Sequence, residues 1–424
     1  MSIAAILYMS SSSQAASFAL GADVSWLLQM EANGYSFFDD KGMKNDCLTI
    51  LKEHNINSIR LRVFVNPSND KCSGHCSKSE IVSMAKRATL MGFRIMVDFH
   101  YSDSWADPGK QTKPAQWSTH TFSQLQTDVY NFTFGVLDTL TKTGVHPEWV
   151  QVGNEINDGM LWEDGRATKS FSNLSALVNS GYDAVKAVDS TIKVIVHVSN
   201  GYDNSLFRWM FDSLAAHGTR YDCIGMSLYP PVSNWQTIIN QCLSNMNDVS
   251  SRYKKEVIIT ETGMPSNAPD TAKSMLADLI HKVRSVNDAK GAGVFYWEPE
   301  CYNWCSYSLG AWDTKGLPTS AMDAFLNASK LFLSTDNHSM TGLKFLSASV
   351  QSSYFKIKYK TSFCKSASLR MFDQSGKEII RDRTVMLSPG VNTISFKIAG
   401  LAKGFYIIRI SSGNELYFHS VIFI

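Results

Sequence analysis

The sequence predicts an α/β protein, a (β/α)8 TIM barrel followed by a small all-β sandwich. Short runs of β-branched and aromatic residues alternate with longer amphipathic segments from Phe18 to about Phe332, which is typical of repeated βα units. Eight such runs can be counted and no glycine-rich phosphate motif follows the first, which favours a closed barrel over a doubly wound sheet. After Ser334 the helical periodicity stops and short alternating strands follow.

Each barrel strand is predicted from one short apolar run. The strands cover Leu20–Val24, Ser58–Val63, Arg94–Phe99, Trp149–Val152, Lys193–Val198, Cys223–Leu228, Val257–Thr260 and Gly293–Trp297. Between them, segments such as 80–91 and 271–286 have the 3.6-residue period of amphipathic helices. The C-terminal strands are predicted at 368–372, 376–380, 392–398, 404–410 and 416–424, with turns at 374–376 and 412–414.

These patterns divide the chain into three parts. We expect residues 1–17 to be a signal or leader segment, because a short apolar stretch precedes serines and small residues, although a basic start is missing. Residues 18–333 form the predicted catalytic barrel and residues 338–424 the β-sandwich. No later apolar run approaches the roughly 18 to 20 residues that span a bilayer. The expected location is therefore outside the cell or on its surface.

Composition excludes some classes of partner. Lys and Arg number 40 and Asp and Glu number 38, giving a net charge of +2 without a basic cluster, which argues against nucleic acid. Charged residues make up 18% and aromatic residues 12% of the chain. We therefore expect a flat, neutral ligand.

Eight cysteines are too few for a disulfide scaffold. Cys72 with Cys76, and Cys301 with Cys305, are each spaced for a local bridge in an oxidising compartment. Zinc binding by Cys72, His75 and Cys76 is the alternative, but no second pair lies at ligand spacing. We predict no metal and no cofactor.

Two carboxylates follow strands that lie across the barrel mouth from each other. Glu155 follows strand four and Glu261 ends strand seven, at the face where barrel enzymes build their sites. A retaining glycosidase needs one protonated and one ionised carboxyl group about 5 to 5.5 Å apart, and mutual repulsion raises the pKa of one of them. Each glutamate alone would also fit a helix cap. Together they predict glycoside cleavage.

Other strand ends fit a sugar site. Arg60 and Arg62 alternate on strand two, and we expect at least one to pair with a catalytic carboxylate; the alternative is a structural salt bridge. Tryptophans in the loops are predicted to form an open groove, because pyranose faces lie flat on indole rings. They are Trp26, Trp105, Trp117, Trp162, Trp297, Trp304 and Trp312. Further strand-end candidates are Asp98, His100, Tyr101, His197 and Tyr229.

The barrel resembles the arabinogalactan endo-β-1,4-galactanases, a family of retaining barrel glycosidases. Five segments carry the resemblance in chain order, and the third of them is the most specific: Gly21–Ser25, Ile59–Phe64, Asp98–Gln111, Gly153–Ile156 and Thr260–Gly263. The resemblance implies endo-cleavage of β-1,4-galactosidic bonds in galactan or type I arabinogalactan, with retention of configuration.

The resemblance also implies roles for single residues. Glu155 is the implied acid/base, Glu261 the nucleophile and Asn154 a partner of the sugar 2-hydroxyl. The complete expected substrate-binding set is Asp23, Arg60, Arg62, Asp98, His100, Trp105, Asp107, Asn154, His197, Tyr229, Trp297 and Trp312. Residues 301–305, with Glu298 and Glu300 beside them, do not match the family's usual loop after strand eight.

The C-terminal region separately resembles the sorting domains of Bacteroidetes type IX secretion. The resemblance lies in Leu369–Asp373, Gly376–Glu378 and Gly400–Tyr406, while the last four residues lack the usual basic side chains. An accessory β-domain without a sorting role stays open as the alternative.

Three readings of function remain at this point. The first is a galactanase that acts as a monomer on galactan polysaccharide, without an integral membrane segment. The second is another endo-β-1,4-glycanase such as a mannanase. The third is a non-catalytic surface protein that binds glycans, against which the presence of both Glu155 and Glu261 argues.

Overall fold

The computed structural model describes residues 18–327, 343–351, 354–362, 364–373, 378–397, 404–412 and 415–423. The chain divides into two compact units, residues 1–326 and 327–424. The expected leader, residues 1–17, and the expected domain boundary between 333 and 338 lie outside the described residues and stay predictions.

The first unit contains a closed barrel of eight parallel strands, which confirms the predicted fold. Neighbours in the barrel follow the order β1-β8-β7-β6-β5-β4-β3-β2. The strands are β1 (Ala19–Asp23), β2 (Ser58–Val63), β3 (Arg94–Phe99), β4 (Trp149–Val152), β5 (Lys193–Val198), β6 (Cys223–Leu228), β7 (Glu256–Thr262) and β8 (Gly291–Trp297). Strands β2 to β6 have the predicted bounds, whereas β7 and β8 are longer because they continue into the flanking loops.

Helices surround the barrel, and five of those described begin at a side chain that accepts one of the first N–H groups. Ser77 and Glu80 form a capping box at α3, and Thr121 and Gln124 form one at α4. The helices are α1 (Leu27–Ala32), α2 (Cys47–Glu53), α3 (Lys78–Leu90), α4 (Phe122–Lys142), α5 (Phe171–Val188), α6 (Asn204–Ala216), α7 (Trp235–Tyr253), α8 (Pro269–Arg284) and α9 (Asp323–Asn327).

Large side chains fill the barrel interior near the start of the strands. Trp149 and Phe295 are 1% and 0% exposed, and their rings meet edge to face. Gly21 is required beside them, because a Cβ there would lie 2.1 Å from the Phe295 ring. The interior is therefore packed, and space for a ligand is left at the carboxyl ends of the strands.

The described residues of the second unit form two antiparallel sheets, as the all-β prediction requires. Three strands pair in the order β9-β10-β13 and four in the order β12-β11-β14-β15. They are β9 (Leu343–Gln351), β10 (Tyr354–Thr361), β11 (Lys365–Asp373), β12 (Glu378–Leu387), β13 (Gly390–Lys397), β14 (Gly404–Ser412) and β15 (Glu415–Phe423). The sequence prediction omitted β9 and β10. The predicted turn at 374–376, and residues 413–414 of the turn predicted at 412–414, lie outside the described residues.

One disulfide joins two loops of the barrel. Cys72, after β2, is bonded to Cys305, after β8, across 233 residues of sequence. The two local bridges expected from spacing are wrong, because Cys76 and Cys301 are free thiols turned into the interior, 2% exposed each. The zinc alternative is also wrong, because the sulfur of Cys72 is bonded to Cys305 and is therefore not a free thiolate.

Candidate active site

A cavity of about 240 Å³ opens at the carboxyl ends of the barrel strands. Eight predicted site residues lie on its wall together with Ala106: His100, Trp105, Asp107, Asn154, Glu155, Tyr229, Glu261 and Trp297. Five others, Asp23, Arg60, Arg62, Asp98 and His197, are buried and do not line it. The cavity therefore brings both predicted catalytic glutamates onto one wall.

Glu155 is placed by a sharp turn after β4. Gly153 has a φ of +85° and Glu155 a φ of +44°, so two of these three residues adopt left-handed backbone and the chain bends directly after the strand. The Glu155 N–H donates to His197 Nδ1 over 3.3 Å, and the Glu155 carboxyl group hydrogen-bonds to Ser227. Burial, reinforced by the nearby charge of Glu261, raises the pKa of Glu155 to about 8. Glu155 is therefore protonated at neutral pH.

Glu261 is placed by an irregularity in β7. The register slips there, because Met226 and Ser227 of β6 pair with Ile259 and Glu261. Such bulges re-aim a side chain. The Glu261 carboxylate accepts from Arg60 Nη2 over 2.8 Å and from the Tyr229 hydroxyl over 3.0 Å. Burial raises the pKa of Glu261, while Arg60 opposes that rise and favours the ionised form.

Arg60 holds several buried acceptors beneath the cavity. Its side chain has no exposed surface, and it donates to Asp23 over 2.7 Å and to Asp98 over 2.8 Å. Burial opposes ionisation of Asp98, but Arg60 and His100 outweigh it and lower the pKa of this carboxyl group. The expectation that an arginine of β2 pairs with a catalytic carboxylate agrees with the Arg60–Glu261 contact.

Gln151 is a central residue that sequence reasoning missed. Its amide nitrogen lies 2.9 Å from His197 Nδ1 and 3.0 Å from Asn154 Oδ1, and its amide oxygen accepts from Arg60. The sequence did contain a signal, because a glutamine stands inside the apolar run Trp149–Val152. A buried glutamine in such a run needs hydrogen-bond partners inside the barrel.

Glu155 also contacts His197 and Ser227, which are hydrogen-bonded to each other. Burial and the charge of Arg60 lower the pKa of His197 well below its usual range, so the imidazole is neutral. Because His197 Nδ1 accepts the Glu155 N–H, the proton is assigned to Nε2, which donates to Ser227 Oγ over 2.7 Å. The Ser227 hydroxyl is then free to donate to Glu155. Ser227 was not among the predicted residues.

Arg62 has a different role from Arg60, because it contacts neither predicted catalytic carboxylate. It pairs with Glu298 and lies 3.7 Å from Asp23. Its guanidinium carbon lies 4.4 Å from the ring centre of Trp105, 4.9 Å from that of Trp26 and 5.8 Å from that of Trp297. Such distances are typical of cation–π contacts.

The open groove of seven tryptophans is wrong. Trp105 and Trp297 line the cavity, but Trp26, Trp117, Trp304 and Trp312 are at most 5% exposed. Trp312, expected to bind substrate, packs against Phe37 with 6.5 Å between ring centres and does not line the cavity. Trp162 is half-buried and also lies off the cavity wall. Four of the seven rings are therefore buried within the loops, so a groove lined by all seven does not form.

The loop after β3 is held by His100. Its Nε2 lies 3.0 Å from Asp98 Oδ2, and its Nδ1 accepts the N–H of Ala106 over 3.0 Å. This bond brings Trp105 and Asp107, on either side of Ala106, to the cavity wall. The arrangement offers a protonated carboxyl group, an arginine-paired carboxylate and two indole rings around one small volume, which suits cleavage of a sugar acetal.

Comparison with known proteins agrees with this geometry. The glycosyl hydrolase family 53 model matches residues 19–377, and the secretion system C-terminal sorting domain matches residues 351–424. An arabinogalactan endo-β-1,4-galactanase A of Aspergillus niger is 33% identical over 300 residues, covering 66% of this chain and 84% of the relative. An uncharacterised protein of Niallia circulans is 37% identical over 312 residues, with coverages of 66% and 83%.

Solved structures give the same result. A structure of fungal β-1,4-galactanases superposes with a TM-score of 0.66 at 27% identity, covering 72% of this chain and 98% of the other. The family 53 catalytic domain of Ignisphaera aggregans gives 0.64 at 27% identity, with coverages of 73% and 95%. No helix within the described residues is both long and apolar enough to cross a bilayer. The sorting domain indicates secretion or attachment to the cell surface. Because the family 53 model matches more than half of the chain, the chain belongs to glycosyl hydrolase family 53.

Proposed function

We propose that this glycoside hydrolase is an endo-acting, retaining β-1,4-galactanase, with Glu155 as acid/base and Glu261 as nucleophile. The observation that carries the proposal is the unequal environment of the two glutamates on one cavity wall. Glu261 contacts Arg60 at 2.8 Å, whereas burial and Glu261 hold the pKa of Glu155 at about 8. The names of the fungal relatives support galactan as the substrate.

The proposed mechanism follows from these environments. Glu155 donates its proton to the leaving oxygen while the Glu261 carboxylate attacks the anomeric carbon and forms a glycosyl ester. Glu155, now ionised, then takes a proton from water, and the hydroxide displaces Glu261 from the same face that the leaving group occupied. Arg60 holds Glu261 as a carboxylate, and the hydroxyls of Tyr229 and Ser227 orient the two reacting groups.

The substrate is tested by incubating the purified chain with unbranched galactan, mannan and cellulose and sizing the products. We expect short oligosaccharides from galactan alone, with the β-anomer appearing first in a proton NMR time course. Products from mannan or cellulose would instead support another endo-glycanase. Binding to galactan without products would support a non-catalytic glycan-binding protein.

We also propose that the C-terminal unit is dispensable for hydrolysis, because all cavity residues lie in the first unit. A chain ended at Ser334 should keep its turnover of soluble galactan. In the native host, loss of export would support a sorting role, whereas continued export with weaker surface association would support an accessory role.

The monomeric state stays a prediction, and light scattering of the full chain tests it.

A further inference from the structure

A pair of buried carboxyl groups lies behind the aromatic wall of the cavity and takes no part in the proposed reaction. Glu298 and Glu300 are both 0% exposed. Ligand atoms of these two residues and of Cys301 all lie within 4.8 Å of one another. The pair belongs to the loop after β8.

The two carboxyl groups have unequal partners. Glu298 pairs with Arg62 and accepts the backbone N–H of Trp26 over 3.2 Å. Neither oxygen of Glu300 accepts a hydrogen bond from another described residue. Two ionised carboxylates at this distance would repel each other strongly in a buried site. A proton on Glu300 that is donated to Glu298 removes this repulsion and gives Glu300 a hydrogen-bond partner.

The charges nearby agree with a protonated Glu300. Arg62 is already shared between Glu298 and Asp23, and within the described part of the chain no other Lys, Arg or His side chain pairs with Glu300. Burial, and then the charge of Glu298, raise the pKa of Glu300 well above its usual range. Burial likewise raises the pKa of the Cys301 thiol. A metal ion is disfavoured here, because the guanidinium of Arg62 already occupies the Glu298 carboxylate.

Arg62 connects Glu298 to the cavity wall, because it contacts both the Glu298 carboxylate and rings that line the cavity. Its Nε and Nη2 atoms have no hydrogen-bond partner among the described residues, so rings rather than acceptors surround them. Trp105 and Trp297, which contact its guanidinium face, both line the cavity. The Glu298 carboxylate is therefore the main polar restraint on the guanidinium that supports these two rings.

We propose that Glu300 is a positioning residue: as a neutral acid it donates a hydrogen bond to Glu298, which holds Arg62 against the two indole rings that bind sugar. The inference rests on the proposed function for the identity of the sugar. It assigns Glu300 to substrate binding rather than to bond cleavage, because no atom of Glu300 reaches the cavity wall.

The test compares two variants of similar size in the full chain. Glu300→Gln keeps a neutral donor toward Glu298, and Glu300→Leu removes it. We expect Glu300→Gln to keep KM and kcat for galactan within about twofold, and Glu300→Leu to raise KM about tenfold while kcat changes less than about threefold, since a cation–π platform would be loosened. Met30→Leu, beside Cys301 in the same pocket, is the matched packing control and should leave both constants unchanged.

Several outcomes overturn the proposal. An unchanged KM in Glu300→Leu, an equal rise in both Glu300 variants, or a fall in kcat at constant KM would each do so. If Glu300→Leu does not fold, infrared difference spectra of wild type against Glu300→Gln decide, because a buried protonated acid must give a carbonyl band at neutral pH that the variant lacks. Absence of that band overturns the proposal. An enzyme inactive on galactan would refute the proposed substrate, while the infrared band would still test Glu300.

Discussion

Arg60 Nη2 lies 2.8 Å from Glu261 Oε1, and the same nitrogen lies 2.8 Å from Asp98 Oδ2. The guanidinium therefore balances the proposed nucleophile and a structural carboxylate at once. Stability and catalysis are coupled at this arginine, since neither carboxylate contacts another arginine or a lysine among the described residues.

We predict that Arg60→Lys lowers both activity and stability. A lysine cannot reach Asp23, Asp98 and Glu261 together, so buried carboxylates lose their partner, a loss that typically costs about 3–5 kcal/mol of the free energy of unfolding. Urea unfolding and kcat on galactan measure the two effects. Arg208→Lys, at the exposed pair with Asp248, is the control and should change neither by much. Equal stability of the two variants would contradict this role of Arg60.

Activity should fall as the pH rises through about 8. The acid Glu155 must be protonated, and its pKa is raised to about 8 from 4.5. Because the unfolded chain loses this proton at lower pH than the folded chain, ionisation also lowers stability between about pH 4.5 and 8. Glu155→Gln removes that loss, so its melting temperature should fall less than that of wild type across this interval. A kcat that stays constant to pH 9 would contradict the assignment.

Azide should separate the roles of the two glutamates. Glu155→Gln and Glu261→Gln are each expected to lose most activity on galactan. In Glu261→Gly, azide takes the place of the nucleophile and should give a glycosyl azide of inverted configuration, whereas in Glu155→Gly it should give the retained configuration. Product NMR distinguishes them. Activity above about a tenth of wild type in either Gln variant would argue against the pair.

Trp105→Ala should weaken substrate use. We expect a loss of about 1–3 kcal/mol in kcat/KM, the scale of one stacked ring, because Trp105 lines the cavity. Trp209→Ala is the control, since this indole is 39% exposed on α6 and packs against Phe171 away from the cavity. Equal effects in the two variants would show that Trp105 does not contact sugar.

The Cys72–Cys305 disulfide should support the same wall. The Trp105 indole N–H donates to the Cys72 carbonyl over 3.1 Å, so the bridge holds the loop on which that ring rests. The double variant Cys72→Ser and Cys305→Ser should lose about 2–4 kcal/mol of stability and show a higher KM. Cys364→Ser, at an exposed free thiol of the second unit, is the control. A normal KM in the double variant would limit the bridge to stability alone.

The barrel strands were predictable because buried parallel strands form short, mostly apolar runs between segments of helical period. Strand β10 was omitted although its apolar residues alternate with lysines: Ile357 and Tyr359 are buried while Lys358 and Lys360 are exposed. Such a two-residue period is typical of a half-buried strand, so the sequence contained the signal for β10.

The two glutamates were predictable because strand ends in a barrel converge on one face. The disulfide pairing and the burial of the tryptophans were not predictable, because both depend on how loops separated by more than two hundred residues pack together. In the sequence, Trp304 and Trp312 cannot be told apart from Trp105. Only the packing of the loops shows that Trp105 lines the cavity while Trp304 and Trp312 are buried.

The bond between Cys72 and Cys305 closes a covalent ring that contains most of the barrel. A single cut by an extracellular protease anywhere between these residues leaves both fragments on one molecule, with Glu155 and Glu261 still linked to the same framework. Such a nicked chain would migrate as one species until a reductant is added. Outside the cell, where proteases are common, we therefore expect the bridge to keep a once-cleaved chain in one piece.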